Sequence, residues 1–552
     1  MVDLQKCRTG ITSTLFTGNV FVVLGTIISV LFSAAIGGND SANVIGTSIA
    51  SGALNMKQGI IIASIFELAG AFFLGGSVSG TISAGIAKTD SFEDPVEFMA
   101  GMLTALISTF FWLFAATLWS IPVSTTHSIV GSVIGFTILS HGFGAVYWSK
   151  IGTIASSWII SPALGAIIAY ILFKLTAKLC FDCKDPIKRT IDLMPGFFAF
   201  SMFIFTLFFT TKGLSNVIEL SFSTCLYASL ITSALSFIVH YIFFRPRMNR
   251  DIPQSILDKH RTLLSIDIVR PSIDLSRVSV DLVRPSITTD VELGETKVVS
   301  KDRVSIDDTV TSIKPNSTPS IKKRGSIISL NDVIIDGQES KQEQETHQAA
   351  TDDNITSEVQ VEEINPEQHT FDQQLQDQII AKLRRKSADK LFIPLQILSC
   401  CFIATAHGSI DIAKSAGPLA AIMHVWRFGD VGRNADVPLW VLAATGVGMT
   451  SGLAILGHKV VGTIGTKITK VTALNGTVIQ LAAAATVLLG SSLGLPLSTS
   501  HTLVGAVIGQ SIARKTAIRW VTVRNIFVAM IVTLPISILT SMLVFKSISF
   551  GI

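Results

Sequence analysis

The chain has 552 residues, of which 49% are hydrophobic and only 15% are charged, and its mean hydropathy is +0.55. These values exclude a water-soluble globular protein and predict a polytopic membrane protein. The formal net charge is +4, but the basic residues flank apolar segments instead of clustering with aromatic residues, which excludes nucleic acid as a partner.

Apolar segments recur along the whole chain, separated by one long polar stretch. Several are too short to cross a bilayer, as is typical of half-helices. We predict an all-α fold of about 12 transmembrane helices, two of them broken or re-entrant. The segments lie roughly at 18–36, 57–76, 96–119, 124–140, 147–175, 193–211, 220–244, 391–406, 417–426, 438–457, 473–493, 497–513 and 524–546.

The polar stretch 245–388 divides the chain into membrane blocks at 1–244 and 389–552. It contains few aromatic residues and much Ser, Asp, Glu and Gln, so we predict a largely disordered loop. Basic residues flank this stretch at both ends and also occur in the short loop 178–189, which predicts that it is cytoplasmic. Basic residues also precede several of its serines, as in Arg384-Arg-Lys-Ser, which makes kinases candidate partners.

A run of polar residues interrupts the first apolar segment. Residues 37–48 read Gly-Gly-Asn-Asp-Ser-Ala-Asn-Val-Ile-Gly-Thr-Ser, and Asp40 is the only charged residue there. A carboxylate inside a bilayer is costly and usually functional. The glycines predict that the backbone leaves regular helix, which a membrane tolerates only where the segment lines a cavity or protein interior. Oxygens of Asn39, Asp40 and Asn43 suit a hard cation, and N–H groups of a restarted helix suit an anion.

The same stretch occurs a second time. Ala35–Thr47 aligns without a gap on Ala406–Pro418, which places Asp411 on Asp40. A Pro-x-Ser-Thr-Thr-His motif follows the first copy, and a Pro-x-Ser-Thr-Ser-His motif follows the second at nearly equal distance. Two linked motifs, duplicated in order, predict a duplicated polar site inside apolar helices.

The hydroxyl residues of these motifs follow a proline with one residue between, and a proline ends one helix and permits another to start. One interpretation is plain N-capping. Another is an anion cradle made of hydroxyl and N–H groups, and both can hold at once. The residues are Ser124, Thr125, Thr126, Ser498, Thr499 and Ser500. His127 and His501 close the motifs and are predicted to lie around the site, either titrating or bonded to a backbone carbonyl.

These motifs resemble those of a known family. Gly-Gly-Asn-Asp-Ser-Ala-Asn from Gly37 resembles the signature of the inorganic phosphate transporter (PiT) family, as do Ala406-His407-Gly408 with Asp411 and the paired Ser-Thr motifs. The resemblance covers both membrane blocks and not the loop. It implies a phosphate symporter with sodium or proton coupling, built from inverted repeats. Since no motif in the sequence resembles an ATP-binding loop or a catalytic triad, we expect no enzymatic activity.

The resemblance also implies roles for individual residues. Glu67, an isolated acid, is similar to a family glutamate involved in coupling, although an ion pair between helices is the alternative. Phosphate is expected at Asp40, Asn43, Ser124, Thr125, Thr126, Asp411, Lys414, Ser498, Thr499 and Ser500. Sodium is expected at Asn39, Asp40, Asn43, Glu67 and Asp411, with His127, His501 and Gln480 around the site.

The second copy departs from the first copy and from the family pattern. Asn39 corresponds to Ile410 and Asn43 to Lys414, and Gln480 stands where sodium-coupled relatives often carry Glu. We hypothesise that Lys414 replaces one bound cation, pairing with Asp411 or reaching the phosphate. The alternative is that its ammonium extends to an interface and has no specific role.

Several alternatives stay open at this point. The protein is expected to import phosphate together with sodium. The alternatives are coupling to protons, transport of another tetrahedral oxyanion, or a role as a phosphate sensor with little transport. We expect the plasma membrane, with a vacuolar or plastid membrane as alternatives. A homodimer is a candidate assembly, and the sequence does not specify the oligomeric state.

Overall fold

The structure is a computed structural model, and it describes residues 2–75, 85–213, 220–250, 378, 380–432, 437–461, 468–493, 495 and 497–549. The predicted disordered loop lies almost entirely outside these ranges, so the boundaries predicted for it stay predictions. The described residues of the two membrane blocks belong to one compact unit.

The fold of the described residues is helical. The helices with defined bounds are α1 (Val2–Val44), α2 (Gly46–Ala50), α3 (Met56–Leu74), α4 (Pro95–Leu118), α5 (Thr125–His141), α6 (Trp148–Cys180), α7 (Pro186–Phe208), α8 (Phe222–Val239), α9 (Ile393–Phe428), α10 (Leu439–Leu456), α11 (Ala473–Ser492), α12 (Thr499–Arg514) and α13 (Trp520–Ser549). Within the described ranges, β-type pairing is limited to one isolated bridge between Ala87 and Val146. This confirms the predicted all-α class.

Ten of the helices in the described part of the chain are long and apolar enough to cross a membrane. The helices α5 and α12, which carry the Ser-Thr motifs, have 17 and 16 residues and are not among them. Ten candidate spans and two shorter helices agree with the prediction of about 12 helices, two of them incomplete.

The helices form two series of five, separated in sequence by α7 and α8. The first series is α1, α3, α4, α5 and α6, and the second is α9, α10, α11, α12 and α13. The series exchange partners: α1 packs on α10 while α9 packs on α3, and α5 packs on α13 while α12 packs on α6. Such reciprocal packing is typical of two inverted repeats around a pseudo-twofold axis.

Glycines allow the repeats to approach closely where α1 and α9 cross their partners. A Cβ atom at Gly37 would collide with the backbone carbonyl of Met449 on α10. A Cβ atom at Gly408 would collide in the same way with the carbonyl of Glu67 on α3. Gly37 and Gly408 are separated by the same number of residues as Asp40 and Asp411, so the structure confirms the gap-free alignment of the two copies.

A second pair of contacts repeats the pattern one turn away. Gly452 on α10 lies against the carbonyl of Ala34, and Gly70 on α3 lies against the carbonyl of Thr405. Ala34 and Thr405 occupy equivalent positions in the two copies. Small residues at these crossings permit the backbone contact that stabilises helix pairs inside a bilayer.

The interruption of the first helix lies later than the sequence suggested. Gly37 and Gly38 belong to α1, which continues to Val44, and the helical pattern breaks only at Ile45 before α2 begins. In the second copy α9 continues without interruption through Asp411 and the internal Pro418. The prediction that the backbone leaves regular helix within 37–48 is therefore confirmed in the first copy at Ile45, next to Gly46. Gly37 and Gly38 do not break the helix and instead provide space for a neighbouring helix.

The glycine contacts lead to a stability prediction. Gly452→Ala places a methyl group against the carbonyl of Ala34, and we expect a loss of roughly 1–3 kcal/mol in unfolding free energy, as for other overpacked sites. Thermal unfolding of the purified protein measures this loss. Gly196→Ala on α7 is the matched control, because a Cβ atom there meets open space. Equal melting temperatures for the two variants would contradict the account.

Candidate functional site

The two Ser-Thr motifs meet head to head in the protein interior. Ser124 caps α5 by accepting a hydrogen bond from the N–H of His127 at 3.3 Å, and Ser498 caps α12 by accepting one from the N–H of His501 at 3.4 Å. The Oγ atoms of Ser124 and Ser498 lie 3.2 Å apart. The predicted capping is therefore confirmed, and two helix N-termini converge on one place.

The first half-site consists of Asp40, Asn43 and Ser500. The Oδ1 atom of Asp40 accepts hydrogen bonds from Asn43 Nδ2 at 2.8 Å and from Ser500 Oγ at 3.1 Å. Asn43 Nδ2 also donates to Ser500 Oγ at 2.7 Å. The other oxygen, Asp40 Oδ2, is buried and accepts no hydrogen bond from the residues that the structure describes. One carboxylate oxygen thus remains available to a ligand.

The second half-site consists of Asp411, Lys414, Thr125 and Thr499. Lys414 Nζ donates to Asp411 Oδ1, one turn earlier on α9, and to Thr125 Oγ1 at 2.5 Å. Thr499 Oγ1 donates to Asp411 Oδ2 at 3.2 Å. Both oxygens of this carboxylate are therefore engaged, in contrast to Asp40.

His407 connects the two half-sites to Glu67. Its Nδ1 atom lies 2.8 Å from Glu67 Oε1, and its Nε2 atom lies 2.6 Å from Asp411 Oδ2 and 4.0 Å from Asp40 Oδ2. In the sequence this histidine stands out only as part of a motif, without a predicted role. A signal was present, because the equivalent position in the first copy is Ile36.

All five ionisable groups of this cluster are excluded from water. Asp40 is 1% exposed, and Glu67, His407, Asp411 and Lys414 are 0% exposed. Burial of an unpaired charge costs several kcal/mol, so such groups persist only with partners. The three carboxyl groups, the ammonium and the imidazole compensate one another within a single buried cluster.

Three buried oxygens without a hydrogen-bond partner among the described residues lie in the first copy. They are Asp40 Oδ2, Asn43 Oδ1 and Thr47 Oγ1. Their spacing of three and then four residues places them on one helix face, although Ile45 interrupts the helix between them. Carboxylate, amide and hydroxyl oxygens form the donor set that hard cations select.

Asn39 was predicted as a sodium ligand, but its amide has other partners. Asn39 Nδ2 donates to Thr117 Oγ1 at 3.1 Å and to the carbonyl of Ile121 at 3.0 Å, and Oδ1 accepts from the N–H of Val123 at 3.1 Å. The side chain therefore holds the segment that leads into Ser124. The assignment of Asn39 to sodium stays a prediction, and the geometry favours a positioning role.

Gln480 and Thr126 also bond outside the half-sites. Gln480 Nε2 donates to the carbonyl of Val44 at 3.1 Å and to Ser48 Oγ at 2.9 Å, which ties α11 to the interruption after α1. Thr126 Oγ1 donates to the carbonyl of Leu497 at 3.1 Å and so links the two Ser-Thr motifs. These contacts position the site.

The two motif histidines lie beside each other behind the caps. The rings of His127 and His501 are 5.0 Å apart, and His127 also packs on Trp158 at 3.7 Å. His501 Nδ1 lies 2.6 Å from Ser498 Oγ. Both histidines lie behind the two caps, and their role around the site stays a prediction.

Comparison with known proteins agrees with this architecture. The family model described as the phosphate transporter family matches residues 36–541. The chain is 28% identical to the sodium-dependent phosphate transporter 1-A of Danio rerio, covering 94% of this chain and 93% of that protein. It is also 28% identical to the chloroplastic inorganic phosphate transporter 2-1 of Arabidopsis thaliana, covering 91% of this chain and 68% of that protein.

A solved structure described as the sodium-dependent phosphate transporter superposes with a TM-score of 0.67 at 26% identity, covering 97% of this chain and all of that chain. The fold, the two paired half-sites and the matched family model therefore identify a phosphate transporter. The chain belongs to the phosphate transporter family and is a multi-pass integral membrane protein.

The hydrogen bonds of Asn39 give a prediction that separates positioning from ion binding. Asn39→Ala leaves the Val123 N–H and the Ile121 carbonyl without their buried partner, and we expect a loss of roughly 1–3 kcal/mol in unfolding free energy. Thermal unfolding without sodium measures it. Asn19→Ala is the control. Asn19 lies on α1, like Asn39, but accepts an exposed hydrogen bond from Trp426 Nε1 of α9. A loss seen only with sodium present would instead favour ion binding.

Proposed function

We propose that the protein is a secondary symporter that imports inorganic phosphate with a sodium ion. The observation that carries this proposal is the convergence of two capped helix N-termini on a pair of buried carboxylates. Ser500 and Thr499 of one N-terminus donate to Asp40 and Asp411, and Thr125 of the other contacts Lys414. An anion site and a cation site that lie next to each other in this way are typical of symporters.

Phosphate is proposed to bind between α5 and α12. The first N–H groups of an α-helix have no partner within it and point outward at the N-terminus, where the helix dipole favours an anion. The hydroxyl groups of Ser124 and Ser498 face each other there at 3.2 Å. Lys414 Nζ reaches Thr125 of the same cradle, so a bound phosphate would lie next to a positive charge.

Sodium is proposed to bind in the first half-site. The buried oxygens of Asp40, Asn43 and Thr47 that lack a protein partner supply hard donors on one face. Glu67 and Asp411, the other acids assigned to sodium, lie against His407 at 2.8 and 2.6 Å. Asp40 Oδ2 lies farther from this imidazole, 4.0 Å from Nε2, and shares the first half-site with the unpartnered oxygens of Asn43 and Thr47, which makes it the favoured ligand.

Proton coupling is the second candidate, and His407 favours it. Both ring nitrogens lie within 2.8 Å of a carboxylate oxygen. A neutral imidazole carries one N–H and cannot donate to both carboxylates, whereas an imidazolium can. The group formed by Glu67, His407 and Asp411 therefore suits an added proton, which could be the coupled ion.

The membrane potential determines how much free energy each coupled cation contributes to phosphate uptake. Moving one charge through a potential of 100 mV changes the free energy by about 2.3 kcal/mol. Monovalent phosphate entering alone is opposed by an inside-negative membrane, one accompanying cation makes the step electroneutral, and a second makes the potential favourable. The number of coupled cations therefore decides how strongly phosphate is concentrated.

Uptake of labelled phosphate into proteoliposomes tests the proposal. We expect uptake driven by a sodium gradient at equal pH, whereas uptake driven only by a proton gradient would establish the second candidate. Preferential competition by sulfate or arsenate would identify another oxyanion as substrate. Phosphate binding without uptake under either gradient would favour a sensor.

Asp40→Asn tests the sodium site. Loss of the charge removes the anionic ligand, and we expect sodium activation of uptake to weaken by roughly 10- to 100-fold, since a bond to a charged group contributes about 1.5–3 kcal/mol. Asp192→Asn is the control, because Asp192 pairs with Arg245 at 2.6 Å at a partly exposed position. Unchanged sodium activation in Asp40→Asn would exclude this carboxylate as the ligand.

A further inference from the structure

The two half-sites are built from the same sequence pattern but differ in charge. Asn43 of the first copy is replaced by Lys414 in the second, and the equivalence follows from the matched contacts of Gly37 and Gly408 with α10 and α3. Glu67 has no acidic counterpart, because the matched contact in the other repeat is made by Met449. A symmetric pair of cation sites is therefore absent from the crossing of α1 and α9.

Lys414 does not extend to a membrane interface. The whole residue is 0% exposed, and its Nζ atom contacts Asp411 and Thr125, both of which are also buried. Long basic side chains that extend to an interface keep their charge in water. The position of this ammonium is inconsistent with that alternative.

The ammonium occupies the place that a cation would take beside Asp411. Asp40 Oδ2 has no hydrogen-bond partner among the described residues, whereas Asp411 Oδ1 accepts from Lys414, and Asp411 Oδ2 accepts from Thr499 and lies 2.6 Å from His407 Nε2. A sodium ion at Asp411 Oδ1 would have to displace a cation tethered three residues away. The second half-site therefore already contains a positive charge at the oxygen where a mobile cation would otherwise bind.

We propose that Lys414 is a tethered substitute for one coupling ion, so that the protein moves one sodium fewer per phosphate than a carrier with two exchangeable cation sites. This inference rests on the proposed phosphate symport. The ammonium balances the charge of Asp411 through the whole transport cycle and lies beside the phosphate cradle at Thr125. Because it is covalently attached, it contributes no energy from the sodium gradient.

Lys414→Asn restores the side chain of the first copy and tests this stoichiometry. With the potential clamped at zero, each additional coupled sodium multiplies the limiting phosphate accumulation by the sodium concentration ratio. Under a roughly tenfold sodium gradient, we expect the limit in Lys414→Asn proteoliposomes to be about tenfold above that of the unmodified protein. An active variant with an unchanged limit would overturn the inference.

A matched control excludes a general effect of losing a lysine. Lys174 lies on α6 with its Nζ atom 5.8 Å from the ring centre of Tyr170 and is exposed. Lys174→Asn is expected to leave the accumulation limit unchanged. A rise of the limit in this variant as well would overturn the assignment to Lys414.

Sodium binding provides a readout that does not require transport. A protein that binds sodium in its folded state is stabilised as sodium rises. We expect sodium chloride, compared with choline chloride at equal ionic strength, to raise the melting temperature of purified Lys414→Asn more than that of the unmodified protein. The double variant Asp411→Asn/Lys414→Asn lacks the anionic ligand and should lose this gain.

Different results would contradict the proposed symport and the proposed role of Lys414. Absence of sodium-driven uptake in the unmodified protein would contradict the proposed symport, while the melting measurements would still decide the role of Lys414. Sodium stabilisation that is equal in the unmodified protein, in Lys414→Asn and in the double variant would overturn the inference, whatever the uptake.

Discussion

The burial of five ionisable side chains at the crossing of α1 and α9 is the constraint on which the structure depends. Ions removed from water lose several kcal/mol each unless partners compensate, and in a bilayer no solvent is available to supply them. The partners here come from both repeats: Ser500 bonds to Asp40, and Thr125 bonds to Lys414. Close packing through Gly37 and Gly408 brings the backbones near enough for these contacts to form.

The reciprocal packing of the repeats explains how this arrangement suits transport. Each half-site contains groups from both repeats, so a movement of one helix group relative to the other changes both together. The two half-sites nevertheless differ in their chemical groups. The first half-site keeps a buried carboxylate oxygen without a protein partner, at Asp40, while the second half-site contains its own cation, at Lys414. The two half-sites therefore differ in the charges that they contain.

The sequence revealed the parts of this site that are local and duplicated. Asp40 and Asp411 could be predicted because a lone acid in an apolar segment is costly, and the capping serines because proline precedes them. His407 was missed because its partners, Glu67 and Asp411, meet only after α3 packs on α9. The hydrogen bonds of the Asn39 amide were likewise not visible in the sequence, because its partners lie some eighty residues away and only the folded chain brings them together.

The decisive measurement is an experimental structure of the protein in lipid, determined with sodium and phosphate. We expect phosphate between the N-termini of α5 and α12, sodium coordinated by Asp40 Oδ2, and Lys414 Nζ as the cation beside Asp411. A sodium ion coordinated by Asp411, with the Lys414 ammonium turned away from it, would contradict the account.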